Sequence, residues 1–96
     1  MMMPYNLALL GFKGLLTKVI NECDRDPDLR GLARQMVGVQ MTAARAALAA
    51  SSWNHIKVTW LPSIALEIDA IRSYVPTSYS ESMRQLRTIC PSPHVQ

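Results

Sequence analysis

The chain has 96 residues, of which 49% are apolar, and a net charge of +3. This composition is typical of one small globular domain and excludes a disordered chain. The charge is too small to establish a nucleic-acid partner by itself. Because so short a chain buries a limited core, association with a second copy is a natural way to enlarge it.

Cysteine usage and the amino terminus indicate the compartment. Cys23 and Cys90 form no CxxC motif and no metal-ligand spacing, which is typical of a reduced intracellular protein. The amino terminus lacks the basic start of a signal peptide, and Lys13 interrupts its apolar run before that run is long enough to span a bilayer. We therefore expect a soluble cytoplasmic protein with no membrane partner.

The first two predicted elements are helices separated by an acidic segment. Residues 5–23 repeat apolar side chains at helical spacing, although Gly11 and Gly14 weaken the pattern. Asp26 is a good N-cap, and Pro27 suits the first position of a helix. The second helix is expected to begin at residue 27 or 28 and to continue to about residue 50, forming an antiparallel hairpin with the first.

The remainder of the chain predicts shorter helices. Residues 53–61 are compatible with a short strand, a turn or a continued helix. Pro62 opens a helix that ends at Tyr74, before Pro76. Thr77 or Ser78 is expected to cap a last helix. The sequence thus predicts one all-α domain over residues 1–90 and a disordered tail over residues 91–96.

The second predicted helix separates basic from small apolar residues. Taking Arg30 as zero, Arg34 lies at about 40° and Arg45 at about 60° on a helical wheel, and no acid occurs between residues 29 and 66. The stripe spans about 22 Å. Arginine binds phosphate oxygens bidentately, so this face is interpreted as a polyanion-binding surface. The opposite face, interpreted as a packing surface, carries Leu32, Met36, Val39, Ala43, Ala46 and Ala50.

Other chemistry is weakly indicated. His55 and His94 belong to no recognisable catalytic or metal motif, and a buried cysteine is far more common than a Cys23–His55 dyad. The sequence therefore predicts no enzyme, no metal and no cofactor. Trp53 and Trp60 are interpreted as core or interface anchors in preference to base-stacking residues.

The hairpin resembles the small RNA-silencing suppressor of nodaviruses. The matching features are the leading apolar helix, the connection Asp26-Pro-Asp-Leu-Arg-Gly, and a second helix that contains Ala43-Ala-Arg-Ala-Ala. The resemblance covers roughly residues 5–55. It implies an all-helical homodimer whose paired hairpins form a four-helix bundle. Such a dimer lies along A-form RNA without reading its sequence, and it shields duplex RNA from dicing and loading in the host cytoplasm.

The resemblance also suggests which residues act. The RNA-binding residues are expected to be Arg30, Arg34 and Arg45, with Lys13, Thr17 and Met41 as further contacts. The small apolar face of the second helix would form the dimer interface.

An alternative hypothesis is a helical protein-binding regulator that inhibits a host enzyme. It is motivated by Trp53, Trp60 and the apolar carboxy-terminal helices, which exceed what a hairpin needs. The two hypotheses are compatible, since a silencing suppressor can also bind a host silencing protein.

Overall fold

The computed structural model describes residues 4–36 and 40–90, and the regular secondary structure of this part of the chain is entirely helical, without a strand. The helices are α1 (Pro4–Arg25), α2 (Pro27–Gln35), α3 (Thr42–Leu48), α4 (Trp53–His55), α5 (Leu61–Tyr74) and α6 (Glu81–Ile89). A π-helical turn (Ile56–Trp60) joins α4 to α5, and a 3₁₀ turn (Pro76–Ser78) precedes α6. The all-α prediction is confirmed, while the tail after residue 90 lies outside the described residues.

The prediction of one continuous second helix is wrong. The helix ends at Gln35, because Met36 is extended at φ −125° and ψ 100°. Met41 then adopts the left-handed conformation, at φ 55°, before α3 begins. The intervening sequence Val-Gly-Val has low helix propensity, since β-branched residues lose side-chain freedom in a helix and glycine loses backbone freedom. Arg45 therefore lies on a different helix from Arg30 and Arg34.

The segment left open by the sequence is helical. Ser52 caps it, with its Oγ accepting the His55 N–H at 3.2 Å. Pro62 has no N–H for the carbonyl of Val58 and its ring crowds that carbonyl, so an ordinary helix breaks there. The π-helical turn just before α5 widens the backbone and lets the helix continue through this position.

The last helix begins later than predicted. Its N-cap is Ser80, whose Oγ accepts the Met83 N–H at 3.1 Å and donates to Glu22 of α1 at 2.7 Å. Thr77 and Ser78 instead belong to the 3₁₀ turn. A tertiary hydrogen bond to α1 thus accompanies the cap that starts α6.

The helices enclose one hydrophobic core. Helix α1 packs against α2, α3, α4 and α6, and α3 also contacts α5. The largest fully buried side chains are Leu16, Val19, Met41, Ile56, Ile64, Ile68, Met83 and Leu86. Ala43, Ala44 and Ala47 are buried as well, and their small side chains allow α3 to approach its neighbours closely.

Candidate nucleic-acid interface

Helix α2 positions the first two arginines. The Asp26 side chain caps it by accepting the Asp28 N–H at 2.9 Å, and Pro27 occupies its first turn, as predicted. A side-chain hydrogen bond from Ser78, together with backbone N–H groups, lowers the pKa of Asp26. Arg30 and Arg34 follow one turn apart, and both are exposed.

Helix α3 positions the third arginine. The start of α3 is capped by a carboxylate that is distant in sequence. Glu67 of α5 accepts the backbone N–H groups of Ala43 at 2.8 Å and Ala44 at 3.3 Å. Burial raises the pKa of Glu67, while these hydrogen bonds act in the opposite direction. The left-handed residue Met41 is buried, which helps the fold to hold a conformation that costs roughly 1–2 kcal/mol outside glycine.

Arg45 is held by two partners at the surface. Its guanidinium forms an ion pair with the carboxylate of Asp24, and its Nε donates to the carbonyl of Gln40 at 3.1 Å. The side chains of Arg45 and Asp24 are 47% and 53% exposed. The tertiary structure therefore brings an acid from α1 to a helix that is acid-free in sequence.

The three arginines line one surface cleft of about 350 Å³, which we call the arginine cleft. Its polar lining also includes Asp24 and Gln40. Its apolar lining consists of Cys23, Leu29, Leu32, Ala33, Met41 and Ile71. The predicted grouping of Arg30, Arg34 and Arg45 is thus present, but as the wall of a concavity formed by separate helices.

Of the remaining predicted RNA contacts, Met41 lines this cleft, whereas Lys13 and Thr17 do not. Met41 is only 2% exposed, because its side chain belongs to the core, so it offers RNA almost no surface. Lys13 and Thr17 lie one turn apart on α1, where the Thr17 hydroxyl donates to the Lys13 carbonyl at 2.8 Å. They are not brought together with the arginines.

The predicted dimer face is largely occupied within one chain. Leu32 and Ala43 are buried, and Met36, Ala46 and Ala50 are half-buried. Val39 lies outside the described residues. Because the helix breaks after Gln35, α3 turns its alanines toward α1 and α5 of the same chain, which leaves little of Leu32 or Ala43 for a second copy.

The structure shows what surrounds the two tryptophans and the two residues of the conceivable Cys23–His55 dyad. Both tryptophans pack partly buried against the core, and Trp53 lies 5.1 Å from Phe12 between ring centroids. Burial raises the pKa of the Cys23 thiol to about 12, whereas His55 is exposed and contacts Thr59 and Trp60. No contact among the described residues joins Cys23 to His55.

Sequence reasoning missed Asp24 and Glu67. Asp24 is one of several acids near the connection between the first two helices, and the structure places it within the last turn of α1. The sequence does contain a signal for Glu67. This acid lies at the margin of the apolar helical face formed by Ile64, Ile68 and Ile71, which indicates a partly buried carboxylate. Which backbone amides it would meet depends on how α5 packs against α3.

No family model, curated protein or solved structure matches the chain. Within residues 4–36 and 40–90, no helix combines the length and apolar character that crossing a membrane requires.

Proposed function

We propose that the chain binds double-stranded RNA independently of sequence and acts as a viral suppressor of RNA silencing in the host cytoplasm. The observation that supports this proposal best is the arginine cleft, where Arg30, Arg34 and Arg45 converge from two helices on one surface. Guanidinium groups recognise phosphate oxygens through charge-assisted, bidentate hydrogen bonds. The role proposed is binding and shielding, without catalysis.

The geometry suits phosphate recognition better than base recognition. The bases of A-form RNA lie in a deep, narrow major groove, so a protein binds it mainly through phosphates and 2′-hydroxyls. Arg30 and Arg34 are exposed and Arg45 is about half exposed, so their guanidinium groups are accessible to a phosphate backbone. Because Asp24 already pairs with Arg45, a phosphate would have to replace that carboxylate.

The proposed active form is a homodimer, and α1 offers a surface for it. Leu7 and Leu10 are 59% and 57% exposed on this helix. Gly11 and Gly14 lie on the same exposed side, and a Cβ atom added to either would meet nothing within 4 Å. A second helix could approach such a surface closely and cover the leucines. This surface replaces the alanine face, much of which is already buried.

A gel-shift titration tests RNA binding. Duplex RNA, duplex DNA and single-stranded RNA are titrated at low and moderate salt, with the solution mass measured in parallel. We expect duplex RNA to bind best, with an affinity that falls as salt increases because counterions are released. Arg34→Gln should weaken binding and reduce the salt slope by about 1. The matched control is Arg84→Gln, which removes an exposed arginine of α6 outside the cleft.

Equal binding to all three nucleic acids, or none at any salt concentration, would contradict the proposal. A stable complex with a host protein that survives nuclease treatment would favour the alternative regulator. The packing of Trp53 and Trp60 against the core removes part of the motivation for that alternative.

A further inference from the structure

The arginine cleft has a shape that an RNA duplex lying across the surface does not explain. It is concave, and the residues that line it combine three arginines with apolar residues such as Leu29, Leu32 and Ile71. A rigid duplex can contact the exposed arginines without entering a cleft of this size. Small-molecule sites commonly have volumes of about 300–1,000 Å³, apolar walls and a few convergent polar groups. The cleft, at about 350 Å³, belongs at the lower end of that range.

We infer that the arginine cleft binds a phosphomonoester attached to a nucleoside, either as a free nucleotide or as the 5′-phosphate end of an RNA strand. This inference rests on the proposed function to the extent that both use the same arginines. It adds a ligand of single-nucleotide size, which requires no duplex.

The charges assign the phosphate to the α2 side of the cleft. Arg45 already pairs with Asp24 and donates to the Gln40 carbonyl, so a ligand phosphate would have to displace a carboxylate there. Arg30 and Arg34 are exposed and one turn apart, which allows two guanidinium groups to bind one dianionic phosphate. The carboxylate of Asp24 repels an anion, which also favours the Arg30–Arg34 side.

The apolar walls of the cleft offer a place for the base of the nucleotide. A planar base can lie over Ala33, beside the buried side chains of Leu29 and Leu32, and Gln40 offers an amide for its polar edge. Ala33 is half-buried on α2, so its methyl group is a point where cleft volume can be removed without changing charge.

Binding is tested on the full chain by isothermal titration calorimetry with adenosine 5′-monophosphate, adenosine and inorganic phosphate. We expect the monophosphate to bind at least about ten-fold more tightly than either fragment, because only it uses both the arginines and the apolar walls. Arg34→Gln should weaken its binding about ten-fold, and Arg84→Gln should leave it unchanged. Ala33→Leu should abolish it by filling the cleft, whereas Ala49→Leu, at an exposed position outside the cleft, should not.

A second arm compares RNA duplexes with 5′-phosphate and 5′-hydroxyl ends. Tighter binding of the phosphorylated duplex that is lost in Ala33→Leu identifies an RNA end as the ligand, and equal binding identifies the free nucleotide. Absence of nucleotide binding, equal binding of inorganic phosphate, or indifference to Ala33→Leu overturns the inference. Nucleotide binding without duplex binding would overturn the proposed function alone, so the two failures are distinguishable.

Discussion

Two arginine–aspartate pairs in this molecule use the same chemistry in different surroundings. In the first, Arg45 of α3 pairs with Asp24 of α1, and both side chains are about half exposed. In the second, Arg87 of α6 binds Asp69 of α5 through two hydrogen bonds, of 2.9 and 3.2 Å, and also donates to the Cys90 carbonyl at 3.3 Å. The Arg87 side chain is only 19% exposed and that of Asp69 is 40% exposed.

This difference in exposure makes the Arg87–Asp69 pair structural, whereas Arg45 can exchange Asp24 for another anion. The hydrogen bond between Arg87 and Asp69 raises the pKa of Arg87. This pair joins α6 to α5 at a site that is partly shielded from water. Removing one partner there leaves polar groups without hydrogen bonds. The Arg45–Asp24 pair is solvated, and exposed pairs contribute little to stability. Its arginine is therefore available for another anion at small cost to the fold.

The largest expected effect concerns the buried cysteine beside each pair. Burial raises the pKa of the Cys23 thiol to about 12 and that of Cys90 to about 11. For Cys23, this lowers the thiolate fraction near neutral pH far below that of an ordinary thiol. Alkylation of the native chain should be correspondingly slow, as mass spectrometry of modified peptides would show. Reaction of Cys23 at the rate of the urea-unfolded chain would show that the cleft exposes its thiol.

Replacing Arg87 should have the largest effect on stability. We expect Arg87→Ala to lower the free energy of unfolding by about 1–2 kcal/mol, because Asp69 and the Cys90 carbonyl lose their donor. Urea denaturation measures the change. The matched control is Arg84→Ala, whose exposed pair with Glu81 should contribute about 0.5 kcal/mol or less. Equal effects of the two variants would remove the distinction between the pairs.

Glu67→Ala should destabilise the chain by about 1 kcal/mol at neutral pH, because the backbone N–H groups of Ala43 and Ala44 lose their acceptor. Burial raises the pKa of Glu67 in the folded chain above its ordinary value of 4.5. The stability linked to its proton is therefore present below that value and is lost as the pH rises through the raised pKa. Unfolding curves across this range should show that the natural chain loses more stability than the variant. Parallel pH profiles would contradict this account.

Asp24→Asn should have the smallest effect on stability, about 0.5 kcal/mol or less, because its pair with Arg45 is exposed. Its effect on ligand binding should have the opposite sign. With the competing carboxylate removed, we expect duplex RNA to bind several-fold more tightly at low salt. Gel shifts with Asp24→Asn, Arg45→Ala and the double variant test this, and the gain should disappear when Arg45 is absent. A gain that persists in the double variant would indicate a general charge effect.

Local signals in the sequence predicted much of the fold. The apolar periodicity of α1, the Asp26–Pro27 helix start and the α5 boundary before Pro76 depend on neighbouring residues, and the structure confirms them within two residues. The α2–α3 break was missed because the apolar pattern continues across it. The low helix propensity of the Val-Gly-Val segment is the sequence feature that indicates this break, whereas the hydrophobic period does not indicate it.

The sequence by itself determined that this chain is helical, where several helices begin, and which arginines are candidates for binding an anion. These properties follow from backbone propensity, capping and the hydrophobic period, which act over a few residues. Only the tertiary structure decided that Arg30, Arg34 and Arg45 surround a cleft, that Asp24 pairs with one of them, and that Glu67 caps the helix bearing it. These contacts join residues from separate helices, so their formation depends on how the helices pack.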